Sequence, residues 1–190
     1  MVAAPPLRYT HQQYVAFERS SVVKHEFVRG LILAMAGGKP EHGARAVRVT
    51  ASLAQQLVGK RCTVFDSDVR VRIPAAEMTA YPDASVVCGR LETDTDDPDA
   101  ILNPVVLVEV LSPSTEEYDR SDKLEAYQRI TSVREIVHVA HDEQRVDVYR
   151  RHGEGWSLES YRSGQAAPLE SIAYSLEVDD VYRYPLGADR

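Results

Sequence analysis

Apolar and polar positions along the chain switch between a helical period and a two-residue period, with stretches that follow neither. Thr10-His11-Gln12-Gln13 has the spacing of a helix-starting capping box, with Tyr9 and Tyr14 placed to form the accompanying staple. The pattern predicts a helix to about Ser20 that buries Tyr14 and Phe17. Lys24–Arg29 and Leu31–Ala34 read as a hairpin around Gly30, and Gly37–Pro40 as a loop. Ala44, Val47, Ala51, Ala54 and Val58 recur at helical spacing until Gly59. Strands are expected at Cys62–Phe65 and at Asp68–Ile73, where Val69, Val71 and Ile73 alternate with Arg70 and Arg72. Residues 74–80 read as a loop, Ala84–Cys88 as a strand, and Glu92–Asp99 as a solvated acidic connection. After Ser112-Pro113-Ser114-Thr115, a helix spans roughly Glu116 to Arg129. Ile136–Ala140, Val146–Arg150 and Trp156–Arg162 form a meander, and the tail from Ala166 holds one short strand or turn near Leu176–Tyr182. These elements predict an α/β chain with a mixed sheet, organised as one domain over 1–190.

One position breaks the pattern. Val105-Val106-Leu107-Val108-Glu109-Val110-Leu111 has the length and composition of a strand covered on both faces, yet it contains Glu109. An ionised carboxylate there costs several kcal/mol unless a cation or strong donors meet it. Composition narrows the options without choosing one. With 44% apolar and 27% charged residues, the 190-residue chain is an ordinary globular sequence, and no apolar run approaches membrane-spanning length. The formal charge of −7 argues against an indiscriminate nucleic-acid coat, but not against an enzyme that gathers carboxylates around a cation. Cys62 and Cys88 show neither metal-ligand spacing nor a disulfide framework, so free thiols in a cytoplasmic protein are expected.

Asp83, at the start of one apolar strand, and Glu109, inside another, would converge if those strands are neighbours. Two carboxylates suit a hard divalent cation such as magnesium, and a metal held this way can serve phosphodiester hydrolysis. The missing part is a fixed positive charge. Lys123 lies on the helix after the Glu109 strand, with Tyr127 as its i+4 neighbour.

Tyr81-Pro82-Asp83, the Val108–Thr115 segment, Tyr118-Asp119-Arg120 and Lys123…Tyr127 together resemble the Uma-two family, restriction-endonuclease-like proteins of the PD-(D/E)xK nuclease superfamily. The likeness extends through His25–Gly30, Gly37–His42 and Glu135–Arg151, covering about 8–155, with 156–190 as a C-terminal extension. The resemblance implies a restriction-endonuclease-like core, a mixed central sheet flanked by helices. It implies metal binding by Asp83, Glu109 and the Val110 carbonyl, with Mg2+ or Mn2+ as cofactor and nucleic acid, taken as DNA, as substrate. The superfamily's usual lysine two positions after the glutamate is replaced by Leu111, and a lysine from the next helix substitutes, which points to Lys123. Glu26 matches the upstream acidic residue of such sites, and His42 matches a recurrent family histidine. Enzymes of this kind often act as homodimers or higher homo-oligomers; the meander and the tail tyrosines Tyr174, Tyr182 and Tyr184 are candidate self-contacts.

Other readings stand beside these. Glu109 alone fits a buried partner of an arginine, and His42 a satisfied histidine near a helix start. Ser112 and Thr115 fit turn organisation and helix capping, since no His–Asp pair lies near enough in sequence to activate either as a nucleophile. Arg45, Arg48, Lys60, Arg61, Arg70 and Arg72 are candidates to hold a phosphate backbone, each equally readable as surface charge. Two further functions compete with a nuclease: a catalytically inactive nuclease-fold binding module, and a carboxylate-pair hydrolase acting on sugars.

Overall fold

The computed structural model describes residues 7–35 and 37–183. Helix α1 (His11–Ser20) starts as its capping box predicts: Thr10 Oγ1 accepts from the Gln13 amide, and the Gln13 side chain accepts from the Thr10 amide. Its buried stripe runs through Tyr14, Val15 and Glu18. Phe17 flanks that stripe and stays 45% exposed, contrary to expectation, with the His25 ring edge-on to it. Strands β1 (His25–Val28) and β2 (Leu31–Ala34) form the expected hairpin. Arg29 (φ 47°) and Gly30 (φ 88°) both lie in the left-handed region, as a two-residue turn between twisted strands requires.

Helix α2 (Pro40–Gln56) begins with proline, whose missing N–H costs nothing at a first helical position. Next come β3 (Cys62–Asp66), β4 (Arg70–Ile73), β5 (Met78–Ala80), β6 (Ala84–Cys88), β7 (Ala100–Ile101) and β8 (Val106–Val110). The predicted 116–129 helix consists of α3 (Glu116–Tyr118), a π-helical turn (Asp119–Lys123) and α4 (Leu124–Gln128). The meander is β9 (Glu135–Val139), β10 (Arg145–His152) and β11 (Gly155–Arg162). The tail forms a hairpin, β12 (Ala166–Leu169) and β13 (Tyr174–Glu177), followed by α5 (Val178–Tyr182).

A mixed six-stranded sheet in the order β11-β10-β9-β8-β6-β3 is the centre of the fold, with β8 parallel to β9 and antiparallel to β6. A second sheet runs β2-β1-β5-β4-β7. Strand β8 is buried on both faces. Val106, Val108 and Val110 pack with Val49 and Leu53 of α2 and with the tail, whereas Leu107 packs with the second sheet and α4. The tail is therefore no appendage: Ala167, Leu169, Leu176, Val178 and Val181 belong to the same core as α2.

Several local expectations fail where tertiary pairing overrides a weak local signal. The loop over 74–80 contains β5, whose three buried residues are recruited between β1 and β4. The acidic Glu92–Asp99 stretch is not wholly solvated: Asp97 is fully buried and takes both Arg70 nitrogens, Nε at 2.6 Å and Nη2 at 2.5 Å. Cys62 and Cys88 form a disulfide, because the β3–β6 register sets them directly opposite each other. The cytoplasmic expectation, which leaned on free thiols, loses that support. Among the described residues, no helix is long and apolar enough to cross a membrane.

Two predictions follow from buried polar groups. Asp97→Ala removes the bidentate partner of the buried Arg70 guanidinium and leaves it only Tyr81 and the exposed Asp99, so it is expected to cost about 3 kcal/mol in urea unfolding. Asp99, Arg70's exposed second partner at 3.6 Å, should cost under about 1 kcal/mol when changed to alanine. His138 on β9 is fully buried beside Tyr149, and neither ring nitrogen has a hydrogen-bond partner among the described residues. Burial pulls its pKa from 6.5 down to about 3. The unfolded chain binds this proton more readily, so His138 stabilises fully above about pH 6.5 and less as pH falls towards 3. Urea midpoints of wild type and His138→Phe should diverge in the variant's favour as pH is lowered through that window; parallel pH curves would refute the assignment.

Candidate active site

The register of the central sheet decides where the two key carboxylates go. Ala84 pairs with Val108 across β6 and β8, so the preceding residue, Asp83, stands level with Glu109. Both carboxylates line one cavity of about 320 Å3, together with Glu26, His42, Val110 and Lys123. Asp83 is held at both oxygens: Oδ2 accepts from the Val110 amide at 2.7 Å, and Oδ1 meets His42 Nε2 at 3.1 Å. This contact raises the His42 pKa against the opposing effect of burial. The Gly37-Gly38 loop lets the imidazole lie close, because a Cβ on Gly38 would come within 2.8 Å of His42 Cδ2.

Glu109 is met by Lys123 Nζ at 3.1 Å and by the Tyr127 hydroxyl, which donates to Oε1 at 2.5 Å. Lys123 also lies 3.1 Å from Glu26 Oε1 and 3.4 Å from Asp119 Oδ1. The Tyr81 amide donates to Glu26 Oε1 at 3.2 Å, which ties this acid to the Tyr81-Pro82-Asp83 segment. The π turn makes the convergence possible. A four-residue step on an α-helix drifts by roughly 40°, at 3.6 residues per turn. The wider π turn counters that drift, so Asp119, Lys123 and Tyr127 all reach the buried side.

The electrostatics follow from this crowding. Desolvation pushes the Glu109 carboxyl well above its ordinary range, opposed by Lys123, and it raises Asp119 in the same way. Lys123 is buried, but Glu109, Glu26 and Asp119 outweigh desolvation and hold its ammonium protonated. Four carboxyl groups thus share a small space with one ammonium and one imidazole.

The sequence candidates Asp83, Glu109, Lys123, Glu26, Val110 and His42 all reach the cavity, and Tyr127 stands behind it, bonded to Glu109. The cavity also has walls that sequence reasoning passed over, above all Tyr118, whose ring centroid lies 5.6 Å from Lys123 Nζ. Asp119, readable from its four-residue spacing as an orienting partner of Lys123 or as a local ion pair with Arg120, lies against Lys123. Deeper support was not legible: the Tyr81 hydroxyl donates to Glu18 Oε1 at 2.8 Å and accepts from Arg70 at 3.3 Å. Other expectations are corrected. Ser112 and Thr115 bond to each other at 2.9 Å, and Thr115 caps no helical amide. Arg70 is taken by Asp97, Arg72 donates to the Met78 carbonyl, and Lys60 donates to the Ile172 and Ala173 carbonyls, so each is already engaged within the chain. Tyr174 and Tyr182 bond within the chain, to Ser52 and to the Ala140 and Arg145 carbonyls, and Tyr184 lies outside the described residues.

A mixed sheet flanked by helices, with acidic residues from β1, β8 and the β6 approach around a buried lysine, defines a restriction-endonuclease-like α/β protein. The fold is similar to that of a crystal structure described as a "putative nuclease belonging to DUF820" from Anabaena variabilis, with a TM-score of 0.74 at 18% identity over 92% of this chain and 97% of that one. The chain belongs to the Uma2 family, described as "Putative restriction endonuclease", whose model matches residues 11–179. The match runs past the 8–155 estimate, as expected for a tail built into the core. Two Synechocystis proteins are similar over nearly their whole length: "Uncharacterized protein slr1290" is 32% identical over 95% of both chains, and "Uncharacterized protein sll1609" is 27% identical over 90% of this chain and 96% of its own.

Replacing Lys123 by methionine removes the cation that compensates three buried acids. Lys123→Met should lower stability by about 3–5 kcal/mol at mildly alkaline pH. Glu109 and Asp119 already have raised pKa values, so they would protonate in the folded variant as pH falls. The deficit relative to wild type should therefore shrink towards the ordinary glutamate pKa of about 4.3. Urea titrations across this range check it.

Proposed function

We propose that this Uma2-family protein is a metal-dependent endonuclease that hydrolyses phosphodiester bonds of nucleic acid, with DNA as substrate. The observation that carries the reading is the meeting of Asp83 and Glu109 in one cavity that also holds a buried, charged Lys123. The family description and the nuclease-like fold support the reaction class.

Asp83, Glu109 and the Val110 carbonyl would hold one Mg2+ or Mn2+ ion. Among the described residues no group of three or more His, Cys, Asp or Glu is placed to hold a metal ion, so two carboxylates and one carbonyl are the whole protein donor set of this reading. Magnesium usually takes one or two carboxylates and keeps several waters. The donor set is all oxygen, and the cavity's excess of carboxyl groups over cationic ones favours an added divalent charge. Bound there, the ion would polarise the attacked phosphate and lower the proton affinity of the attacking water. The chain's own groups do the remaining work. Lys123, held by Glu26 and Asp119, offers fixed positive charge to the phosphate oxygens as charge builds on them. Tyr127 keeps Glu109 Oε1 in a single orientation, while His42 and the Val110 amide do the same for Asp83. A homo-oligomer addressing both strands of a duplex belongs to this reading, with the edge strand β11 as its candidate self-contact.

A binding module without chemistry is the second reading, and one observation favours it: Leu111 stands two positions after Glu109, where the superfamily's lysine is usual. The two separate in a cleavage assay titrated with Mg2+ and Mn2+ over duplex DNA, single-stranded DNA and RNA, paired with calorimetry of metal binding. Asp83→Asn, Glu109→Gln and Lys123→Ala should each reduce cleavage by at least about a hundredfold, with circular dichroism checking that the destabilised Lys123 variant is still folded under the assay conditions. Equal cleavage by wild type and all three variants would overturn the site. No cleavage together with no metal heat would favour the binding module.

A further inference from the structure

A second hollow lies on the same helix as His42. Its volume is about 90 Å3, and its walls are Glu41, Ala44, Arg45, Arg48, Val181 and Arg183. Taking about 30 Å3 as one water's share of liquid, this is room for roughly three waters, the scale of a tetrahedral oxyanion. Three arginines and one glutamate are among its walls, in a chain whose formal charge is −7. That local inversion of sign is what an anion site needs.

The three arginines are held differently. Arg45 is fixed: its guanidinium stacks 4.9 Å from the Tyr182 ring centroid, and Nη1 donates to the His141 carbonyl at 3.2 Å. Among the described residues, Arg48 and Arg183 meet no carboxylate within ion-pair distance and donate no side-chain hydrogen bond, unlike Arg70, Arg72 and Arg120. The tail delivers Arg183. The β12–β13 hairpin returns the chain to α2, α5 buries Val178 and Val181 there, and Arg183 follows directly.

Position ties the hollow to the catalytic cavity. His42 lines the cavity, while Arg45 and Arg48 line the hollow three and six residues further along α2. At 1.5 Å per residue, Arg48 lies about 9 Å along the axis from His42. His141 joins the two places from the other side: its carbonyl accepts from Arg45, and its imidazole meets Glu116, adjacent to the cavity residue Thr115.

We infer that Arg45, Arg48 and Arg183 form a phosphodiester-binding subsite that holds the nucleic-acid backbone to one side of the bond cut at Asp83 and Glu109. The inference rests on the nuclease reading for its ligand, but its test does not require cleavage. Guanidinium forks match phosphate oxygens and carry no base information, so the subsite positions the strand without reading its sequence.

Fluorescence anisotropy with a labelled DNA duplex in EDTA measures binding while metal-dependent cleavage is suppressed. The Arg48→Gln/Arg183→Gln double variant should bind about tenfold or more weakly at low salt. Its slope of log affinity against log salt should be shallower by about two, one for each lost phosphate contact. A charge-matched control, Arg19→Gln/Arg90→Gln at exposed positions outside the hollow, should keep the wild-type slope. Equal slopes for wild type and the hollow variant would overturn the subsite, as would an identical loss in the control. Cleaving wild type with an unaffected hollow variant would sink the subsite alone. A non-cleaving wild type whose slope still falls in the hollow variant would sink the nuclease reading and keep the subsite.

Discussion

One buried ammonium organises the centre of this protein. Lys123 Nζ sits within about ion-pair reach of Glu26, Glu109 and Asp119, which come from a strand of each sheet and from its own helix. Each of these acids is nearly inaccessible to water, and none would be tolerable there alone. The lysine is equally intolerable without them. The cluster therefore binds the two sheets and the π turn together, because displacing any one element strands a charge.

Backbone geometry delivers that cluster. The antiparallel β6–β8 register brings Asp83 level with Glu109, and the π turn keeps Asp119, Lys123 and Tyr127 in line. Hydrogen bonds then lock the carboxylates from behind, through Tyr127, Tyr81, His42 and the Val110 amide. Such support restricts side-chain freedom and holds the carboxylates in one arrangement.

Charge is sorted over longer distances too. Arginines within the second sheet are used up internally, Arg70 by Asp97 and Arg72 by a carbonyl, whereas those on α2 and at the end of α5 gather around a hollow. Because α2 carries His42 at one end and Arg48 six residues on, a single helix links the acidic cavity to the arginine-lined hollow. The tail that completes the hollow is also part of the hydrophobic core, so it cannot drift from α2 without exposing apolar surface.

Much was legible in the sequence alone. The capping box at Thr10, the hairpin around Gly30, the α2 helix and the β8 run follow from local periodicity and turn chemistry, and Glu109 was conspicuous because a carboxylate contradicts its apolar surroundings. Motif spacing also singled out Asp83, Lys123 and Tyr127. What the sequence could not supply was everything set by pairing between distant segments. The Cys62–Cys88 bond, the burial of Asp97, strand β5 and the use of Tyr174 and Tyr182 inside the fold depend on register and packing, which leave no local pattern. The same holds for Arg48 and Arg183, 135 positions apart in number (183 − 48) but walls of one hollow. Local sequence determines which faces are apolar; only the tertiary structure decides which charges are desolvated together, because that depends on what each face is packed against.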